Sequence, residues 1–545
     1  MLFPPANGHR AVSALALFAL TALAIGVTWW WLGRPVALPP SPLDPGEKLY
    51  CVSYAPYRGD QDPLVEGTRV PAAQIDQDLA LIAKYSNCVR VYSVDDGAAD
   101  VLASARRHGL KVLDGLWLSN EAEKNRRQIA TTIALARQYA DVISAVIVGN
   151  EVLLRGEMPA DALIAAIREV KAQVPEPVTY ADVWEFWLRN REVASAVDFI
   201  TIHMLPYWED FPIPAEHAAA HVKEIRDQVA AAFPGKDIMI GELGWPSRGR
   251  MREGARPSPS DQARAILETL AFAKRDKVRV NVIEAFDQPW KRWLEGTVGG
   301  QWGIFDRATG APKFSFSGGT ISDHPDWAMQ ALAGIALAAA AFAAALAAGR
   351  AKLAPPFFWW RIAALAYLPA VLFGWTIAQV APESFSAGGW LRSLALAATA
   401  VASPLVCAMA AAVRRPLPPF SALLAGGAGM QRDALTWAVG LSFLLLVLLA
   451  LQTALGLVFD PRYRDIPFAA VGAAVLPFLV LWASTERRPG PPAMAERAAA
   501  FVLAASAIYI AVNETFANWQ AVWFCAALLG LAFMLARARG APNSE

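Results

Sequence analysis

Two apolar patterns divide this chain. In its middle, short runs rich in β-branched residues alternate with stretches whose apolar positions recur at helical spacing, and unbroken apolar runs lie on either side. The short runs are Tyr50–Tyr54, Cys88–Tyr92, Lys111–Trp117, Ala145–Gly149, Val178–Asp182, Phe199–His203, Ile238–Gly241 and Val280–Ala285. Between them lie amphipathic stretches at Ala72–Tyr85, Ala98–His108, Asn120–Tyr139, Ala160–Val174, Trp184–Ala196, Ala215–Phe233 and Pro259–Asp276. Strands alternating with helices imply a parallel sheet, and eight such units in about 270 residues predict an α/β fold, a closed (β/α)8 TIM barrel over residues 47–318. Gly109 stands where a helix ending at His108 would place it, and Ser260-Asp261 is expected to cap the last helix. No Gly-x-Gly-x-x-Gly follows any strand, so nothing supports a dinucleotide site.

The unbroken runs predict an α-helical transmembrane region. Ala11–Leu32 carries no charge and is long enough to cross about 30 Å of hydrocarbon. No Ala-x-Ala site follows it, so residues 1–33 read as an uncleaved N-terminal anchor and the Pro-rich residues 34–46 as a semi-rigid linker. Seven C-terminal spans are expected within 327–538, at 328–349, 359–380, 388–412, 434–458, 466–484, 495–513 and 518–536. Their basic residues cluster in alternate loops: Arg350, Lys352 and Arg361; Arg414, Arg415 and Arg432; Arg487, Arg488 and Arg497; Arg537 and Arg539. The opposite loops hold Glu383, Asp460 and Glu514, with Arg392, Arg462 and Arg464 as exceptions. The positive-inside rule makes the Arg-rich loops cytoplasmic, which predicts a multi-pass protein of the cytoplasmic (inner) membrane with its barrel on the periplasmic or extracellular side. The spans hold almost no ionisable residue that reads as buried, so a transporter or pump is poorly supported.

Charge sharpens that division. The 18% of charged residues averages a C-terminal block near 10% with a central part near 26%, the latter as expected of a soluble domain. The split excludes a single soluble enzyme, a disordered chain and a nucleic-acid binder, which would need a concentrated basic face. Four Cys are too few for a disulfide scaffold or a zinc cluster. Cys51 and Cys88, on adjacent strands, could form a disulfide in an oxidising compartment, although neighbouring parallel strands do not guarantee the geometry. Cys407 and Cys525 read as small apolar packing residues.

In such a barrel the chemistry sits at the carboxyl ends of the strands. Strand 4 ends Val148-Gly149-Asn150-Glu151, and strand 7 ends Ile240-Gly241-Glu242-Leu243-Gly244-Trp245-Pro246. Two glutamates facing each other across a barrel mouth equip a site for retaining glycoside hydrolysis, in which one protonates the leaving oxygen and the other attacks the anomeric carbon. A raised pKa is expected for the acid, from its apolar wall and its like-charged neighbour. Tyr54, Tyr92, Trp117, Tyr207, Trp208, Trp245 and Trp290 offer flat faces to sugar C–H groups, or else pack the core and rim. This chemistry calls for no metal and no cofactor.

These residues resemble glycoside hydrolase family 17, the β-1,3-glucanase family, over roughly residues 48–315. The motifs that carry the resemblance are Val148–Glu151, Ile240–Ser247 and Phe286-Asp287-Gln288-Pro289-Trp290-Lys291. It implies that Glu151 is the acid/base and Glu242 the nucleophile, that Asn150 bonds the substrate's 2-hydroxyl, and that Arg90 and Tyr92 match the strand-2 pair, Arg90 holding a carboxylate ionised. Gln288 stands where plant members typically have Glu, and Glu284, four residues earlier, is not simply its replacement. His203 lies near the position of a usual Tyr, either touching sugar or hydrogen-bonded within the barrel. Both departures resemble a bacterial, membrane-anchored branch that includes transglycosylases elongating or branching β-1,3/β-1,6-glucans.

The sequence thus points first to a membrane-anchored retaining enzyme acting on β-1,3-glucan, with Tyr54, Tyr92, Trp117, His203, Tyr207, Trp245, Gln288, Trp290 and Lys291 joining Asn150 and Arg90 in substrate binding. Pure endo-β-1,3-glucanase hydrolysis is one alternative, and a non-catalytic glucan-binding scaffold assisting a separate synthase is another. The expected partners are β-glucan oligo- or polysaccharide, membrane lipid and a separate glycosyltransferase or exporter.

Overall fold

The computed structural model describes residues 8–95, 97–349, 357–427, 430–484 and 491–538. The expected loop cations Arg350, Lys352, Arg487, Arg488 and Arg539 lie outside the described residues. The chain forms two compact units, one of residues 35–249 and 254–321, the other of the remainder.

The first unit is a closed barrel of eight parallel strands in sequence order. They are β1 (Cys51–Ser53), β2 (Cys88–Arg90), β3 (Lys111–Leu116), β4 (Ile143–Asn150), β5 (Val178–Val183), β6 (Ile200–His203), β7 (Ile238–Leu243) and β8 (Val280–Val282). The β-rich runs and the intervening helices fall where periodicity placed them, with ends shifted by up to three residues and two further local differences. The helix expected over Trp184–Ala196 breaks at Asn190 into Trp184–Arg189 and a 3₁₀ turn, Arg191–Ser195. The cap of Pro259–Asp276 is Ser258, which accepts from the Asp261 amide at 3.1 Å, and not Ser260: Pro259 supplies the first helical position and fixes the start.

Cys51, Cys88, Leu113, Ala145, Ile147, Ala181, Phe199 and Met239 form one buried cluster. Alternation along the strands then points Ser53, Arg90 and Gly241, each two residues further on, to the same inner side. Cys51 and Cys88 are joined by a disulfide. It closes a loop spanning 37 positions, so the Cys51→Ala/Cys88→Ala variant is expected to lose about 3–4 kcal/mol, read as a lower chemical-denaturation midpoint.

Asp114 has the opposite parity and is buried outside the barrel lumen, and neither carboxylate oxygen has a hydrogen-bond partner. Burial, with the charge of Glu176 added, pushes its carboxyl up to about 7. The folded chain therefore keeps a proton that the unfolded chain releases, and stability is lost as the pH rises between about 4 and 7. Asp114→Asn is expected to remove that loss, so between pH 5 and pH 8 the variant gains roughly 3 kcal/mol on the wild type in unfolding experiments.

Residues 34–46 are not a free spacer. Val36–Ala37 pairs antiparallel with Thr320–Ile321, the Leu38 amide donates to the Gly319 carbonyl at 2.9 Å, and Leu38 and Leu43 pack on the barrel core.

Among the described residues of the second unit seven helices are long and apolar enough to cross a membrane: Ser13–Leu32, Trp327–Ala348, Phe358–Val380, Ala387–Ala412, Ala434–Phe459, Met494–Glu514 and Trp519–Arg537. The remaining expected span is the helix Phe468–Ser484, 17 residues long and buried on nearly every side, as befits a helix apolar all round. Its crossing matters, because an even number of spans is what returns both termini to one side. The unit is less free of buried charge than composition implied. Glu496 is buried and accepts from the Ser421 amide and hydroxyl, each at 2.8 Å. Glu514 accepts from Arg250, from the Glu253 amide at 3.1 Å and from Asn518 at 2.7 Å. Each carboxylate sits near a helix end. Glu514 is satisfied by polar neighbours through both oxygens, whereas Glu496 is satisfied at Oε1 and its buried Oε2 has no hydrogen-bond partner among the described residues.

Candidate active site

The strand ends dictate the site. β4 runs buried through the barrel wall to Gly149, whose φ of +87° is open to glycine without strain, and Glu151 follows at φ +53°, the left-handed region that L side chains rarely adopt. The Glu151 amide donates to the Ala181 carbonyl at 2.8 Å, which fixes this turn. On β7, Gly241 clears the way for Arg90: a Cβ there would lie 2.4 Å from a Thr201 methyl and 3.4 Å from the Arg90 guanidinium.

Arg90 is wholly buried and addresses four neighbours at once. Its Nη1 donates to the Gly241 carbonyl at 2.7 Å and lies 3.2 Å from both His203 Nε2 and Glu242 Oε1, while Nη2 donates to Asn150 Oδ1 at 2.6 Å. Since a guanidinium has no acceptor, Asn150 must present its amide oxygen to Arg90, and its NH2 is left for a ligand. Tyr92 donates to Glu242 Oε1 at 2.9 Å. Burial and the Glu242 charge push the Tyr92 hydroxyl well up, so it remains a donor. A directed relay stands behind it: Asn281 Nδ2 donates to Ser53 Oγ at 2.8 Å, and the Ser53 hydroxyl meets Tyr92 Oη at 2.8 Å. Both donors therefore converge on one oxygen of Glu242, and Oε2 accepts no hydrogen bond from the described residues.

Glu151 lies opposite. His203 Nδ1 is 2.7 Å from its Oε1. One oxygen from each glutamate and a His203 nitrogen all lie within 4.8 Å of one another. That spacing would also suit a metal ion, but the Arg90 guanidinium is already the cation among them, and a divalent ion would be repelled by it. Contrary to expectation, the Glu151 carboxyl is held below its usual range: burial pushes it up, and the His203 hydrogen bond together with the positive charges of Arg90 and Arg155 outweighs that push.

Four residues to which the sequence reading gave no role complete the surroundings. Arg155 donates to the backbone carbonyls of Asn150 and Leu118 and lies 4.2 Å over the Trp117 ring, bracing the strand-4 turn against that aromatic face. Glu284 is buried and accepts from Lys291 at 2.9 Å, and burial still pushes its carboxyl up to about 7 against the lysine. Glu295 is raised by burial, with the charges of Glu151 and Glu242 adding. Asp182 is pushed up to about 6 by burial, against a hydrogen bond from Tyr180. Asp182 and Glu284 carried a local signal, lying at or next to the ends of the fifth and eighth β-rich runs.

Several residues expected to bind substrate are buried or have their polar groups held by other protein groups. Tyr54 is buried and donates to Asp78 at 3.1 Å. Tyr207 and Trp245 are fully buried in an aromatic cluster, with Trp245 Nε1 donating to the Arg256 carbonyl at 2.9 Å. Gln288 is buried: its amide donates to the Ala55 and Phe286 carbonyls, and its oxygen accepts from Trp290 Nε1 at 3.0 Å, so it braces Trp290. His203 and Arg90 are buried with their polar groups committed to other side chains. Lys291 is committed to Glu284. Partly exposed surface at the strand ends comes from Tyr92, Trp117, Glu151 and Trp290.

Residues 51–303 match the family model of the BtgE/BtgC glycoside hydrolase domain. A glucan 1,3-beta-glucosidase of Schizosaccharomyces pombe is 27% identical over 235 residues, covering 39% of this chain and 72% of that protein. A probable beta-glucosidase btgE of Aspergillus fumigatus is 26% identical over 262 residues, and this chain spans 45% of its length. The solved structure of a glycoside hydrolase family 17 β-1,3-glucanosyltransferase from Rhizomucor miehei covers 49% of this chain and 97% of its own at 23% identity, with a TM-score of 0.44. The barrel is thus a glycoside hydrolase domain, and these relatives are fungal.

Proposed function

We propose that the chain is a membrane-anchored, retaining β-1,3-glucan-active enzyme of the bacterial branch of the family, with Glu242 as nucleophile and Glu151 as acid/base. The observation that carries this reading is the approach of the two carboxylates to within 4.8 Å across the ends of β4 and β7, close to the about 5–5.5 Å of retaining pairs and too near to admit the water of an inverting site. Oε2 of Glu242 attacks the anomeric carbon while Glu151 gives its proton to the departing glycosidic oxygen, and the C–O bond breaks to leave a glycosyl ester. Glu151, now a carboxylate, takes a proton from the incoming hydroxyl, whose oxygen displaces Glu242. The free NH2 of Asn150 is placed to bond a sugar hydroxyl, a contact expected to strengthen in the transition state.

The second hydroxyl comes from a sugar or from water, and half-exposed Trp117 and Trp290 favour a sugar acceptor by stacking. Laminaripentaose tests this: products longer than the substrate support transfer, and shorter ones alone mean pure hydrolysis. A non-catalytic scaffold is the weaker reading, because binding alone requires no paired carboxylates. The barrel disulfide and the alternating Arg-rich loops support an oxidising, extracytoplasmic location for the domain. Membrane lipid and an associated glycosyltransferase or exporter are the partners this location implies.

A further inference from the structure

His203 lies between the two glutamates, and its hydrogen bonds define which ring nitrogen carries a proton. Nε2 is 3.2 Å from Arg90 Nη1 and 3.6 Å from Glu242 Oε1. The first is a hydrogen-bond distance to an obligate donor, so Nε2 accepts, and the ring proton sits on Nδ1, which donates to Glu151 at 2.7 Å. That proton cannot be passed on without leaving an imidazolate. His203 is therefore a fixed donor and not a relay.

We infer that His203 is a positioning residue that holds Glu151 in the carboxylate form, favouring the half-reaction in which Glu151 acts as base over the one in which it acts as acid. The inference rests on the acid/base reading of Glu151. The groups facing Glu151 are Arg90 from β2, Arg155 from the turn after β4, Asp182 from β5, His203 from β6, Glu242 from β7 and Glu295 from beyond β8. Asp182, Glu242 and Glu295 oppose the charged form, the two arginines favour it, and among these His203 supplies the direct hydrogen bond. In this arrangement the first step, which needs Glu151 protonated, is confined to acid pH, and the glycosyl-enzyme is released quickly to whatever hydroxyl occupies the acceptor position.

The test is the pH profile of kcat/KM on laminari-oligosaccharides with the full-length protein. His203→Leu, which lacks a donor, is expected to move the alkaline limb up by about one unit, while His203→Asn, whose amide takes the place of Nδ1–H, leaves it near the wild type. Equal limbs in the wild type and both variants, with kcat merely lowered, would overturn the inference. Should the Leu variant fail to fold, His203→Gln replaces it, since its amide reaches the Nε2 position instead: a raised limb in Gln but not in Asn supports the inference, and identical limbs in the two overturn it. Glu151→Gln separates this from a failure of the underlying reading. If Glu151 is the acid, that variant loses about 10²–10⁴-fold on oligosaccharides and still forms the glycosyl-enzyme from a dinitrophenyl β-glycoside, whose leaving group needs no proton. If it loses equally on both substrates, the acid/base assignment itself falls.

Discussion

Glu242→Gln turns over laminari-oligosaccharides at least about 10⁴-fold more slowly than the wild type while keeping its fold. An amide oxygen accepts from Tyr92 and Arg90 as a carboxylate does, at 2.9 Å and 3.2 Å in the native site, so the surrounding hydrogen bonds survive. What is lost is the anionic oxygen that forms the glycosyl ester. Glu242→Ala goes further, because azide can enter the vacated space: with an activated glycoside it is expected to give the α-glycosyl azide, whereas azide rescue of Glu151→Ala gives the β-anomer. Product anomers read by NMR thus assign the two roles independently. Full activity in Glu242→Gln would sink the covalent mechanism.

Arg90→Met is expected to cost more than any other single change to the site's scaffold. The substitution keeps the length of the side chain and removes a fully buried charge that binds Gly241, Asn150, His203 and Glu242 together. Breaking a buried ion pair by deleting one partner leaves the other charge uncompensated, a loss of about 3–5 kcal/mol. The loss should shrink as the pH falls, since Arg90 helps to hold Glu151 ionised and that contribution vanishes once Glu151 is protonated. Activity should drop by more than about 10³-fold through loss of geometry, with oligosaccharide affinity falling as well because the Asn150 amide is no longer oriented. Denaturant titration at pH 5 and pH 7, run beside the kinetics, checks both parts; equal stability of variant and wild type at both pH values would mean that Arg90 is not the keystone described.

The barrel was legible because each strand is a short β-branched run closed by a helix with its own apolar face, and the two catalytic candidates could be named because chain order alone puts Glu151 and Glu242 at strand ends. The surrounding roles were not legible in the same way. Tyr54, Tyr207 and Trp245 occupy positions that can either face the mouth or turn into the wall, and a residue type at a strand end does not say which. The hydrogen bond from His203 to Glu151 joins residues 52 positions apart, so the inversion of the expected shift at Glu151 arises only when β4 and β6 are brought together. Arg155 lies on an irregular turn and Glu295 on the short helix Arg292–Gly299, neither with a periodicity long enough to mark it. Gln288 illustrates the same limit in reverse: its sequence position suggested an altered carboxylate network, but its buried amide satisfies two carbonyls and an indole N–H, a task a carboxylate could not do.

The ribbon formed by Val36–Ala37 and Thr320–Ile321 fastens the start of the barrel's chain to its end. Seen from the helices, the nearly three hundred residues between are a closed parenthesis: Ser13–Leu32 and Trp327–Ala348 are joined as if by a short clasp, whatever the clasp encloses. Loop-closure entropy grows only slowly with loop length, so the pairing of those two helices is almost indifferent to the size of the insert. The helical unit nevertheless keeps one stake in the insert: Arg250–Glu253 belong to it, with Arg250 and the Glu253 amide donating to Glu514. An exchanged domain would have to carry that segment as well as two ends that meet in the same ribbon.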